Sequence, residues 1–213
     1  MIDIIKNFQN IKSSINNNNV NIIAVSKTFT FDKIKPLIDF GHLHYGENKV
    51  QEAKVKWFRI KEENPNLQLH MVGKLQSNKA KEAIELFDFI HSLDNKKLAN
   101  VLAKYENLLN KKKKYFIQVN IGNENQKSGI HVDQLIDFYS FCKQKSLNVI
   151  GLMCIPPNKE NPKKYFIQLT KLSNSLSLKQ ISMGMSEDYL DAIQSGSTFV
   201  RIGSAIFGNR LIR

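Results

Sequence analysis

Ile22-Ile23-Ala24-Val25-Ser26-Lys27-Thr28 is the stretch on which the reading of this chain turns. Its apolar, β-branched run has the length and composition of a strand buried on both faces, the kind found in parallel sheets. The run closes on Lys27, after which the composition changes and a new amphipathic pattern begins. Similar runs recur at 42–45, 68–72, 87–91, 115–120, 149–155, 180–182 and 199–203, which makes eight with 22–26. Between them lie segments of helical period, such as Val50, Ala53, Trp57 and Ile60, or Leu135, Phe138 and Cys142. Strands alternating with helices require parallel pairing and right-handed crossovers. Eight such units close into a (β/α)₈ TIM barrel, and 213 residues is near the lower end of the range for that fold. The segment 2–15 reads as an additional amphipathic helix that could cap the bottom of the barrel.

Local signals fit this frame. Ser77 is placed as a helix N-cap, Gly41 and Gly196 end helices before strands, and Pro65 and Pro156-Pro157 mark loops. Pro36 falls inside the helix expected over 32–40, where a kink or a late start is expected.

Composition narrows the function. Hydrophobic residues at 42% and charged residues at 23% describe an ordinary globular protein, read as a single domain over residues 1–213. No apolar stretch reaches the ~20 residues of a membrane span. Asp3, Lys6 and Asn7 interrupt any signal-peptide core, so a cytoplasmic protein is expected. Cys142 and Cys154 follow no ligand spacing, which argues against a disulfide framework or a zinc site. The formal charge of +12 invites an RNA-binding reading. Against it, lysines are spread over nearly every helix and are not interleaved with aromatic residues that could stack bases.

Chemistry in such barrels sits at the C-terminal ends of the strands. Those ends carry Lys27, Gly46-Glu47-Asn48, Gly73 with Gln76-Ser77-Asn78, His91-Ser92, Asn120, Met153, Ser182-Met183-Gly184-Met185-Ser186 and Arg201-Ile202-Gly203-Ser204. Lys27 has two readings: a strand-end lysine reaching solvent, or an amine whose charged form is disfavoured by desolvation and which attacks an aldehyde to hold it as a Schiff base. Gly203 and Ser204, followed by a short helix, resemble a phosphate cradle. Strand alternation puts Val200 and Ile202 on one face and Arg201 on the other, so a permanent cation enters the barrel and needs a partner. A pyridine nitrogen and a barrel carboxylate such as Glu47 are the two candidates. A metal-dependent hydrolase is a weaker alternative, resting on His42-x-His44 with His70 and His91 nearby.

Taken in order, these motifs resemble the YggS/PROSC family of pyridoxal phosphate homeostasis proteins over almost the whole chain. They are Ala24-Val25-Ser26-Lys27, Tyr45-Gly46-Glu47-Asn48, His70-Met71-Val72-Gly73-Lys74-Leu75-Gln76-Ser77-Asn78, His91-Ser92-Leu93-Asp94, Ser182-Met183-Gly184-Met185-Ser186 and Arg201-Ile202-Gly203-Ser204-Ala205. The resemblance implies a barrel like the N-terminal domain of alanine racemase that binds pyridoxal 5'-phosphate (PLP). It implies Lys27 as the Schiff-base lysine, Arg201 as partner of the pyridine nitrogen, and Ser182, Met183, Gly184, Gly203 and Ser204 as the phosphate-binding segments, with Asn48 beside the ring. Lys74 stands where many relatives have histidine, Ser204 where many have threonine, and Phe29-Thr30 where lysine and proline are frequent.

A PLP-dependent racemase also needs a second base opposite the lysine, usually a tyrosine from another domain, and an arginine at the ring nitrogen leaves a weak electron sink. The expectation is therefore a carrier that buffers or delivers PLP, with PLP-dependent apo-enzymes as partners and a monomer or weak dimer as its state. A racemase-like enzyme of low activity is the runner-up.

Overall fold

The computed structural model describes residues 3–17, 19–124, 126–158 and 160–208. Its eight strands are β1 (Asn21–Val25), β2 (His44–Glu47), β3 (Gln68–Met71), β4 (Phe89–Leu93), β5 (Lys114–Gln118), β6 (Asn148–Met153), β7 (Gln180–Ser182) and β8 (Phe199–Ile202). Each pairs in parallel with the next, and β8 pairs with β1, so the sheet closes into a barrel. Register alternation sorts the side chains. Ile23, Val25, Phe89, Phe116, Met153 and Phe199 pack together in the lumen. Ile22, Ala24, Val200 and Ile202 face outward into the larger core beneath the helices. The helices are α1 (Ile4–Ile15), α2 (Phe31–Asp39), α3 (Val50–Glu63), α4 (Ala80–Leu86), α5 (Lys96–Leu109), α6 (Leu135–Gln144), α7 (Lys163–Ser175), α8 (Tyr189–Gln194) and α9 (Ser204–Phe207).

The second and fourth strands begin two residues later than the sequence run suggests. Gly41 turns at φ +90° and His42 N–H bonds back to the Leu37 carbonyl, so the end of α2 takes up residue 42. Phe87 N–H likewise bonds to the Ala83 carbonyl at the end of α4. A two-residue shift preserves the alternation of faces, which is why the inward residues are still read correctly.

Two local expectations are corrected, and that at Pro36 is narrowed. Ser77 opens a short 3₁₀ turn and makes no side-chain cap to α4. The helix containing Pro36 starts at Phe31, without a late start; the Pro36 carbonyl still accepts from Phe40 N–H. The helix expected over 2–15 spans Ile4–Ile15, with Ile2 outside the described residues. This α1 lies in the helix ring instead of beneath the barrel. It packs on α9 and α2, Asn7 Nδ2 donates to the Ile206 carbonyl, and the Ser14 hydroxyl meets that of Tyr189 in α8. Since α9 is a single turn, α1 supplies the apolar face of Phe8, Ile11 and Ile15 that completes the ring there.

Candidate functional site

A cleft of ≈ 760 Å³ opens at the C-terminal ends of the strands. Lys27, Ser186, Arg201, Gly203 and Ser204 line it, with Phe29, Val72 and Ile155 as apolar walls. Lys27 is held there from behind. Ser26 N–H bonds to the Gly46 carbonyl at 2.9 Å, the Ser26 hydroxyl donates to Glu47 Oε1 at 2.7 Å, and Lys56 Nζ bonds the Ser26 carbonyl at 2.9 Å. Glu47 is fully buried and its Oε1 also accepts from Lys56 Nζ and Trp57 Nε1, each at 2.9 Å. The next residue, Thr28, sits at φ +68°, a left-handed conformation costly for a β-branched residue, so the turn after Lys27 is fixed by its surroundings.

Arg201 enters the lumen from β8, as alternation requires, and is 5% exposed. Its partner is not Glu47, which points outward to α3. Instead its Nη1 donates to Ser182 Oγ at 2.7 Å and its Nη2 to the Cys154 carbonyl at 2.9 Å. Both acceptors are neutral. Burial lowers the guanidinium pKa, and Asp188 opposes that shift from a distance. Behind Ser182 stands a row of imidazoles. His91 Nδ1 is 2.9 Å from Ser182 Oγ, His91 Nε2 is 3.0 Å from His70 Nδ1, and His70 Nε2 is 3.0 Å from His44 Nδ1. Desolvation, then the neighbouring imidazoles and Arg201, push His70 and His91 well below the usual histidine range, so both are neutral. The rings point at one another in line and do not converge on a common centre, and His42 Nε2 faces the His44 carbonyl. This geometry replaces the metal-hydrolase reading of His42, His44, His70 and His91. Among the described residues no group of three or more His, Cys, Asp or Glu could hold a metal ion.

Just beyond the ends of β7 and β8 the hydroxyls of Ser204 and Ser186 lie 3.1 Å apart, and Ser186 Oγ accepts from Ala205 N–H at 3.3 Å at the start of α9. A Cβ added at Gly203 would lie 3.3 Å from the Val25 carbonyl oxygen, so glycine keeps the backbone of β1 and β8 close. Directly after β2, the Oδ1 of Asn48 is buried with no hydrogen-bond partner, and Gly73 packs on it so tightly that an added Cβ would be 2.4 Å from the Asn48 carbonyl oxygen. A primary amine, a guanidinium whose hydrogen-bond partners are neutral, and two hydroxyls beside a backbone N–H fit a planar nitrogen heterocycle bearing an aldehyde and a phosphate.

The alanine racemase N-terminal domain family matches residues 2–210. Pyridoxal phosphate homeostasis proteins of Vibrio cholerae and Aquifex aeolicus are 39% and 37% identical over 204 and 199 residues, covering 90% and 89% of this chain and 86% of each relative. The chain belongs to this family of pyridoxal phosphate homeostasis proteins. PipY of Synechococcus elongatus PCC7942, solved with PLP bound, is 32% identical with a TM-score of 0.88, over 97% of this chain and 100% of PipY. Alanine racemase of Clostridium difficile, at 15% identity and a TM-score of 0.75 over 56% of its length, shares the fold.

In this family member the residues read from sequence fall into two groups. Lys27, Arg201, Gly203 and Ser204 line the cleft; Asn48 does not, and packs instead against Gly73, the residue after Val72 of the cleft wall. Ser182, Met183 and Gly184 do not line it. Ser182 is fully buried beneath Arg201, Met183 packs in the outer core, and Gly184 faces Ala192, Tyr189 and Val200, its carbonyl accepting from Arg201 N–H. The hydroxyl that reaches the cleft from this segment is Ser186, four residues on. Strand alternation ends at Ser182, so period alone could not have selected Ser186, whose position is set by the turn at Gly184 with φ +90°. Lys56 and Trp57 were also legible only as helix residues. Their donation to Glu47 needs the fold.

Proposed function

We propose that this chain, as one barrel domain over residues 1–213, binds PLP in the mouth of the barrel and serves intracellular vitamin B6 homeostasis. When bound, the cofactor supplies an aldehyde that condenses reversibly with a primary amine, and Lys27 is that amine. Arg201 donates to the pyridine nitrogen, Ser186, Ser204 and the backbone at Gly203 hold the phosphate, and Asn48 lies beside the ring. The observation that carries this reading is the pairing, in one cleft, of Lys27 with a buried guanidinium whose hydrogen-bond partners among the described residues are a serine hydroxyl and a backbone carbonyl. An arginine against the ring nitrogen keeps that nitrogen unprotonated and weakens the ring as an electron sink. No tyrosine lines the cleft among the described residues, and Tyr45 is buried between the barrel and Trp57. Both features favour a carrier over a racemase.

The carrier is placed in the cytoplasm, with PLP-dependent apo-enzymes as recipients and a monomer or weak dimer as its working state. Several of its lysines are held in exposed surface pairs, such as Lys35 with Asp39 and Lys164 with Glu160, which supports a solvated surface over a nucleic-acid site. Purified protein given PLP is expected to turn yellow, and borohydride reduction should leave a pyridoxyl group on the peptide containing Lys27, absent in Lys27→Ala. A colourless protein that stays unmodified overturns the reading. Racemisation of alanine at a rate typical of enzymes would move it to the racemase alternative.

A further inference from the structure

The lumen contains a chain of buried titratable side chains that binding of a cofactor at Lys27 does not itself require. From Arg201 it runs through Ser182, His91 and His70 to His44, which is half-buried at the base of the barrel beside Asn21, Lys114 and Gln180. We infer that this ladder is a polarised hydrogen-bond wire in which His91, His70 and His44 are positioning residues for Arg201, holding its guanidinium toward the cleft without a carboxylate. The inference rests on the reading that PLP occupies the cleft.

The polarity follows from donor and acceptor inventory. A guanidinium only donates, so Ser182 Oγ accepts from Arg201, and among the described residues the remaining contact for the Ser182 proton is His91 Nδ1. A neutral imidazole that accepts at Nδ1 carries its proton on Nε2. His91 Nε2 therefore donates to His70 Nδ1, and His70 Nε2 donates to His44 Nδ1. All three rings adopt the same tautomer, each donation strengthens the next, and the acceptor end of the wire meets the cation. The rings are shielded from water by stacking: His70 on Phe89 at 4.3 Å and His91 on Phe116 at 4.2 Å between centroids. A carboxylate beneath Arg201 would form a fixed ion pair. A neutral wire stabilises the charge while leaving it available to a ring nitrogen.

Two measurements test this. In ligand-free protein, long-range proton–nitrogen NMR correlations of the imidazoles should show His44, His70 and His91 each protonated at Nε2 and unprotonated at Nδ1 at neutral pH. An Nδ1–H tautomer or an imidazolium at His70 or His91 overturns the inference. In PLP titrations, His91→Phe, which keeps the stack on Phe116, should raise the dissociation constant about tenfold and move the visible absorbance band. His91→Asn, which returns an acceptor near the Nδ1 position, should restore both, and His70→Phe should act in the same direction more weakly. Folded variants with unchanged affinity and spectrum overturn the inference. If His91→Phe does not fold, Ser182→Ala and the NMR measurement on the native chain decide. Wild-type protein that takes up no PLP refutes the site reading instead, and the NMR result then judges the wire by itself.

Discussion

Glu47 and Arg201 are both buried in the barrel wall, one directed out toward α3 and the other into the lumen, and the fold treats them differently. Glu47 meets a lysine, a hydroxyl and an indole N–H, so its charge is neutralised within the protein. Arg201 meets a hydroxyl and a carbonyl, so its charge is solvated but not cancelled. The first arrangement fixes backbone, because Lys56 and Ser26 tie the end of β1 to α3. The second keeps a cation ready for a ligand. A buried charge that the chain neutralises is structural, and one it only solvates is available for binding.

That contrast can be broken most severely on the structural side. Glu47→Leu removes the common acceptor of Ser26, Lys56 and Trp57 and leaves the Lys56 ammonium, 13% exposed, without its carboxylate. Urea denaturation should show a loss of about 3–5 kcal/mol. On the functional side, Arg201→Met should leave the ligand-free protein within about 1 kcal/mol of wild type, because removing a buried cation offsets the two lost hydrogen bonds. Equilibrium titration of the same variant should show PLP binding weakened by about 1.5–3 kcal/mol, the worth of a hydrogen bond to a charged group. A large loss of stability in Arg201→Met would show that the two charges play the same part.

Acid sharpens the comparison, because the histidines are kept neutral by burial. His42 is lowered to about 4 chiefly by desolvation, and His44, His70 and His91 are lowered for the same leading reason. In the unfolded chain they titrate near ~6.5. Between those values the unfolded state binds more protons, so their contribution is complete above about pH 6.5 and is lost as pH falls toward 4. Melting temperature should fall across that window, and less steeply in His91→Phe. A further effect is expected at the rim. Gly73→Ala pushes a methyl group onto the Asn48 backbone and should cost about 1–3 kcal/mol, measured by thermal unfolding, with a matching loss of affinity if Asn48 lies against the ring.

Much of this was legible in the chain. Period-two alternation around Phe199-Val200-Arg201-Ile202 turns Arg201 inward, and the run 22–26 places Lys27 at a strand end. The choice between Ser182 and Ser186 was not legible, because both are serines in one short segment and only the turn at Gly184 separates the lumen from the cleft. The sequence suggests His70 and His91 as metal ligands; their actual relation depends on ring orientation across β3, β4 and β7, which sequence spacing does not encode.

By itself, then, the sequence determined the barrel, its membership in the family, and the amine and guanidinium that face the mouth, since these follow from local periodicity and motifs within single strands. Only the tertiary structure decided that Glu47 belongs to α3 and not to Arg201, that α1 lies in the helix ring, and that three histidines and Ser182 form one wire. Those relations join residues up to 199 positions apart, as between Asn7 and Ile206, and exist only once barrel closure fixes the register of every strand.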